Sequence, residues 1–276
     1  MADRPAPSPT PSRDPAIARY GIGVVVLVLA IASQYFVPEA VPAARAVYGT
    51  LVGDVLIVYA LPIVVFALCV GARPLRAWRS HLGHAAAAGL GWYGVMRLLA
   101  LLITVVLAAI YLAVDPGALK LLERPNPALA QAAGDPWFYV GFSFVVGAFE
   151  ETLFRGWVFG FWVQRNRDAW IVPAVLSSAL FAGVHIYYGT TYGAAAPLIF
   201  PTLFLIGFAF AATYRTSGGN LVVPALLHGA NDAAAYLTLV SLAVGTAVGW
   251  GIALVGALVG LVYYLARSAR TDELAP

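Results

Sequence analysis

Two adjacent glutamates and an arginine, Glu150, Glu151 and Arg155, lie in "FEETLFRGW" (residues 149–157), inside a run that otherwise reads as lipid-soluble. Two histidines follow on later apolar runs: His185 closes "FAGVH" (181–185) and His228 opens "HGAND" (228–232). A glutamate and a histidine can deprotonate and orient a water, while a second histidine and a neighbouring polar group donate to the oxyanion of a tetrahedral intermediate. That combination suits hydrolysis of an amide bond.

Spacing refines the assignment. Glu151 and Arg155 are four apart, share a helix face and can pair, whereas Glu150 points about 100° away from Glu151. The arginine can then neutralise one glutamate and leave the other to act as a base. The bland alternative is a structural ion network of all three. Phe181 and His185 share a face at i and i+4, as His228 does with Asn231 and Asp232. A lone histidine in an apolar helix is commonly a packing residue; two of them, each near other polar groups, shift that balance.

Beyond Arg19 at the start of the first run, eight ionisable side chains fall within apolar runs: Asp54, Arg97, Glu150, Glu151, Arg155, His185, His228 and Asp232. A central charge facing lipid costs about 2.5–3.5 kcal/mol, which implies a bundle interior or a wet cavity. At a helical rise of about 1.5 Å per residue, Glu150 sits roughly 21 Å above Gln164 and His185 roughly 22 Å above Trp170. His228 and Asp232 lie roughly 12 and 18 Å above Asn220. All four reach one layer.

Other chemistries fit less well. Ser177 and Ser178 lie about two turns below His185, and Cys69, the single cysteine, has no polar companion, which disfavours a covalent nucleophile. Two histidines and a glutamate also make a zinc set with an open position, but there is no H-E-x-x-H and the ligands come from different helices. The expectation is no metal and no cofactor. No Gly-rich phosphate loop follows a strand, and the arginines follow topology, so no nucleic acid is expected. "DELA" near the C-terminus lacks the terminal residues of a retention signal.

The elements that must position these residues are membrane helices. Of 276 residues 61% are apolar and 11% charged, against roughly a quarter charged in a soluble domain. Apolar runs at about 18–37, 48–71, 85–114, 136–163, 171–188, 192–213, 221–243 and 246–266 predict an all-α polytopic membrane protein of about eight helices, with the active site inside the bundle. The third run is long enough to tilt or to begin at the interface. Residues 1–17 read as a Pro-rich disordered cytoplasmic tail, 18–270 as one transmembrane domain with its core at about 136–243, and 271–276 as a short tail. Ala44-Arg45-Ala46 imitates a leader cleavage site, but the run before it spans, so a retained first helix is expected.

With the N-terminus inside, cytoplasmic segments carry Arg4, Arg13, Arg19, Arg73, Arg76, Arg79, Arg165, Arg167, Arg215, Arg267 and Arg270; external ones carry Arg45, Lys120 and Arg124. Eleven against three places both termini in the cytoplasm. Fifteen arginines to one lysine, with abundant Ala, Val and Gly, suggest a GC-rich bacterial genome, and the expected location is the bacterial inner membrane. Small-xxx-small pairs at Gly156/Gly160, Gly245/Gly249 and Gly256/Gly260 read as intramolecular packing, with dimerisation as the alternative. Pro62, Pro173, Pro197, Pro201 and Pro224 can kink helices around a cavity.

In order and placement, Glu150-Glu151-x-x-x-Arg155, Phe181-x-x-x-His185 and His228-x-x-x-Asp232 resemble the CAAX protease and bacteriocin-processing (CPBP) family, also called the type II CAAX prenyl endopeptidase or Abi family. The resemblance covers about residues 136–243; the first three runs carry no matching motif. It implies an intramembrane glutamic endopeptidase that needs no metal. Glu150 would activate water with help from His185, His228 and Asp232 would bind the oxyanion, and Glu151 and Arg155 would hold the geometry. The implied catalytic set is thus Glu150, Glu151, His185, His228 and Asp232, supported by Arg155, Asn231 and Phe181. Many members have asparagine where this chain has Asp232. An ionised aspartate cannot donate, so either Asp232 is protonated or Asn231 takes that role.

The implied partner is a membrane-associated protein or peptide in the bilayer, with cleavage near its C-terminus as one option. Eukaryotic members cut prenylated tails; a secreted precursor, a bacteriocin leader or a sorting tail are bacterial options. Two other classes stay open: a transporter or proton relay using Asp54, Arg97, Glu150 and the histidines, and a non-catalytic binding or immunity protein. No repeat of the motif region occurs in residues 1–135, which counts against a two-halved transporter.

Overall fold

Helix follows helix along the apolar runs because in lipid every backbone N–H and C=O must be satisfied within its own segment. A computed structural model describes residues 14–48, 53, 55–78, 84–115, 117, 127–185 and 187–272. Asp54 and most of the predicted N-terminal tail lie outside the described residues. Among the described residues there is no strand, and eight helices have fourteen residues or more. They are α1 (Pro15–Ala40), α2 (Val55–Val70), α3 (His84–Val114), α4 (136–163), α5 (Ile171–Val184), α6 (Ala196–Thr216), α7 (Val222–Val240) and α8 (Leu242–Asp272). Four stretches in α1, α3, α6 and α8 are by themselves long and apolar enough to cross a bilayer.

The eight helices follow the eight predicted runs, with shifted ends. Helix α1 begins at Pro15, inside the stretch read as tail. The Asp14 carboxylate caps it, accepting from the Ala16 N–H at 2.9 Å, and Pro15 takes the first turn, where its missing N–H costs nothing. Ahead of α2, Arg45–Tyr48 forms a short helix at the start of the second run. Helix α3 runs unbroken for 31 residues, about 46 Å.

The centre of the molecule is α4. It starts at Pro136 behind an Asp135 cap, runs as α-helix to Glu151, widens into a π-helix over Thr152–Phe159, and returns to α-helix at Gly160–Val163. All eight residues of the π segment are buried. Widening the turn disturbs the regular ladder, and side chains from neighbours bond to carbonyls there. Ser177 of α5 donates to the Phe154 carbonyl at 2.9 Å, and Tyr20 of α1 to the Val158 carbonyl at 3.0 Å. Ser177, considered above as a nucleophile, is thus occupied in holding α5 against α4. Tyr20 also stacks on Phe161 at 4.4 Å, which fastens α1 to the bundle.

Around this axis α7 packs on α4, α3 lies between α6 and α8, and α2 pairs with α1. Glycines set the closest crossings. A Cβ on Gly91 or Gly94 of α3 would run into the backbone of Gly260 or Ala257 of α8, and one on Gly256 would come within 2.9 Å of the Leu90 carbonyl. The Gly256/Gly260 pair therefore serves packing within the chain. Leu29, Leu68, Leu102, Leu258 and Val262 are exposed on the outer faces, the arrangement a lipid solvent requires.

Candidate functional site

Helices α4 and α7 meet where neither has a side chain. A Cβ on Gly147 would lie 2.8 Å from the Gly229 N and 3.0 Å from the Ala225 O, and one on Gly229 would strike Phe144. This crossing sits one turn before Glu150 and Glu151 on α4 and directly beside His228 on α7. It brings residues 77 positions apart into hydrogen-bond range.

His228 is the hub. Its Nδ1 lies 2.8 Å from Glu151 Oε1; a carboxylate accepts, so this nitrogen carries the proton and donates. Its Nε2 faces two further carboxylates, Glu150 Oε2 at 3.6 Å and Asp232 Oδ2 at 3.4 Å. The two glutamates point in different directions from α4, yet one ring reaches both, because its two nitrogens open on different sides. The ring itself stacks on Phe210 of α6 at 4.7 Å and meets the edge of Phe181 of α5 at 5.5 Å, so aromatic walls fix its plane.

Glu151 is also held by Arg155, Nη1 to Oε1 at 3.1 Å, the pair that the i, i+4 spacing predicts. Both side chains are fully buried. Arg155 Nη2 donates to the Gly207 carbonyl of α6 at 2.7 Å, and its guanidinium carbon lies 4.7 Å from the centre of the Phe181 ring and 5.2 Å from that of Phe210. A cation in so dry a place needs this combination of carboxylate, carbonyl and ring faces. Glu150 is 2% exposed and, among the described residues, its Oε2 has no hydrogen-bond partner. Glu151 Oε1 is therefore tied twice, to His228 and to Arg155, whereas Glu150 faces the ring alone; among the described residues the Oε2 of each glutamate accepts no hydrogen bond.

His185 ends α5 instead of continuing it. Its Nδ1 lies 2.9 Å from the Phe181 carbonyl, the acceptor its own backbone N–H would take in an α-helix, and that N–H bonds the Ala182 carbonyl at 3.1 Å. The side chain thus stops the helix at Val184, short of the predicted 188. Because a carbonyl only accepts, Nδ1 is the protonated nitrogen and Nε2 carries the lone pair in the neutral ring. His185 packs on Phe181 at 5.2 Å and on Tyr188 at 6.0 Å. Asn231 donates from Nδ2 to Asp232 Oδ1 at 3.3 Å.

The structure thus brings Glu150, Glu151, Arg155, His228, Asp232 and Asn231 together and sets Phe181 and His185 along their edge. Sequence reading missed Phe210, the Gly207 carbonyl and the Gly147/Gly229 crossing. Phe210 is one phenylalanine among several in "FLIGFAFA", and a backbone carbonyl leaves no mark in a sequence; only Gly229, inside "HGAND", offered a signal. No group of three or more His, Cys, Asp or Glu among the described residues is arranged to hold a metal.

No curated protein and no solved structure matches the chain. A family model does: residues 132–234 match the family described as Type II CAAX prenyl endopeptidase Rce1-like. The matched segment starts just before α4 and ends within α7, and so holds every residue of the cluster, while α1, α2, α3 and α8 lie outside it. The part of this membrane protein that carries the buried cluster therefore matches the type II CAAX prenyl endopeptidase family, the family its three motifs resemble.

Proposed function

We propose that the chain is an intramembrane endopeptidase of the glutamic type, hydrolysing a peptide bond of a membrane-associated protein or peptide without metal or cofactor. The observation that carries the reading is the division of labour between two adjacent glutamates. Glu151 Oε1 is committed to Arg155 and to His228 Nδ1, while Glu150 is buried beside His228 Nε2 and, among the described residues, pairs with no arginine. The family match supports a membrane endopeptidase in general terms.

In this reading Glu150 takes a proton from water, with His185 Nε2 accepting the second O–H so that the oxygen lone pair faces the scissile carbonyl. The oxygen adds to the carbonyl carbon, and the resulting oxyanion accepts from the Nε2–H of a His228 that carries protons on both ring nitrogens, the form suited to a ring facing Glu151 on one side and Glu150 and Asp232 on the other. The proton on Glu150 then passes to the amide nitrogen, the C–N bond breaks, and a carboxylic acid and an amine leave. Glu151 and Arg155 keep the His228 ring in place through its other nitrogen, as a second carboxylate does for many catalytic imidazoles. Asp232 lies where it competes for the same Nε2 proton, and Asn231 supports Asp232. Phe181 closes the ring wall between the two histidines.

The test is mass spectrometry of protein and peptide termini in membranes from cells carrying the wild type or Glu150→Gln at equal abundance. New termini only with the wild type are expected and would also reveal the substrate. Identical termini in the two would sink the reading and leave a transport or binding role.

A further inference from the structure

Between α3, α7 and α8 lies a cavity of ≈ 250 Å³ that the proposed mechanism does not use. Its walls include Arg97 of α3, Asn231 and Thr238 of α7, and Thr246 and Trp250 of α8. Arg97 is 11 residues into the Ala86–Val114 apolar stretch, about 17 Å from that end, which places its charge deep in the bilayer. Among the described residues no carboxylate forms an ion pair with it. A guanidinium at that depth costs several kcal/mol unless an anion or a wet, polar surrounding compensates it. The cavity supplies polar residues: Asn231, Thr238, Thr246 and Trp250 line the same space, with the Thr238 hydroxyl donating to the Ala235 carbonyl at 2.6 Å.

We infer that this cavity is a subsite for a carboxylate of the substrate, held by Arg97. The inference rests on the endopeptidase reading. A guanidinium matches the fork of a carboxylate with two parallel N–H donors, and Thr246 and Trp250 on the cavity wall carry a further hydroxyl and an indole N–H. Depth selects the source: lipid headgroups lie at the interface, whereas a peptide drawn into the bundle carries its carboxylate inward. Position links the subsite to the cut. Asn231 lines the cavity and bonds Asp232, whose Oδ2 is 3.4 Å from His228 Nε2, so the subsite and the catalytic cluster share a wall. A bond placed at His228 and a carboxylate placed at Arg97 are then a few residues apart on an extended chain, at about 3.3 Å per residue. Arg97 thereby sets which bond is presented.

The experiment uses the full-length protein in lipid nanodiscs and a library of apolar synthetic peptides. Each is made with a free C-terminal carboxylate, as the C-terminal amide, and as the amide with one aspartate near its end; cleavage is read by mass spectrometry. The wild type should cut free-acid peptides at least about tenfold faster than amides. Arg97→Gln should lower cutting of the acids by roughly 10- to 100-fold, mainly through KM, while leaving amides unchanged. Arg97→Lys, which keeps the charge, should retain an intermediate preference and guards against misfolding as the cause. If the aspartate-bearing amides are cut as well as the acids and lose this with Arg97→Gln, the carboxylate comes from a side chain instead of the chain end. Equal cutting of all three forms by the wild type, or a preference unchanged in Arg97→Gln, overturns the subsite and leaves the endopeptidase reading intact. No Glu150-dependent cutting of any form overturns both.

Discussion

At the scale of single residues, the two glutamates differ in what their loss should do. Glu150→Gln is isosteric and leaves the Glu151–Arg155 pair in place. Proteolysis should fall by roughly 10²–10⁴-fold, with the melting temperature unchanged; a variant that keeps its activity removes Glu150 from the mechanism. Arg155→Met should behave in the opposite way. It removes the cation beside a fully buried carboxylate and leaves His228 Nδ1 as its donor, and breaking such a pair costs about 3–5 kcal/mol. A melting temperature lowered by several degrees, with partial recovery in the Arg155→Met, Glu151→Gln double variant, would separate structural support from chemistry. Asp232→Asn tests the third position. An amide can donate to an oxyanion and no longer competes for the His228 proton, so activity should stay within about tenfold of the wild type, whereas Asp232→Leu should lose it.

At the scale of elements, the active geometry depends on how closely α4 and α7 approach. Gly147→Val places a branched side chain where even a Cβ lies 2.8 Å from the Gly229 N, and overpacking of this kind costs about 1–3 kcal/mol. Spreading the helices should also pull His228 from Glu151, so activity falls further than stability alone explains. Gly141→Ala is the internal control on the same helix, because nothing lies within 4 Å of its Cβ; it should be neutral, or stabilising by up to about 1 kcal/mol. Equal activity loss in both variants, measured at matched folded fraction, would show that the crossing does not position the site. The π segment belongs to the same scale. It follows Glu151 at once and turns Arg155 toward both Glu151 and the Gly207 carbonyl.

At the scale of the whole molecule, eight helices and the asymmetry of the arginines lead us to place both termini in the cytoplasm. A reporter placed at residues 188–192, within the short helix Tyr187–Tyr192 between α5 and α6, should read as external. A cytoplasmic reading would mean an odd number of crossings before it. Chelators should leave peptidase activity unchanged, with metal far below one equivalent in the purified protein. Stoichiometric metal together with loss of activity on chelation would turn the cluster into a metal centre.

Much of this was legible in the chain itself. Apolar length determined that the protein is a helical membrane protein and roughly where each helix runs, because a bilayer admits few other backbones. The i, i+4 rule determined the Glu151–Arg155 pair, and common depth determined that three helices could meet in one layer. The partner of Glu151 across the bundle was decided only by tertiary structure. Spacing within a helix says which face a side chain takes, but not which face of which helix comes opposite. Here that choice was made by two glycines bare enough for α4 and α7 to touch, and by Phe210 and Phe181, which hold the His228 ring so that one nitrogen meets Glu151 and the other faces Glu150 and Asp232. The same limit applies to Arg97: its charge in an apolar run was evident, while the cavity it lines exists only once α3, α7 and α8 have packed.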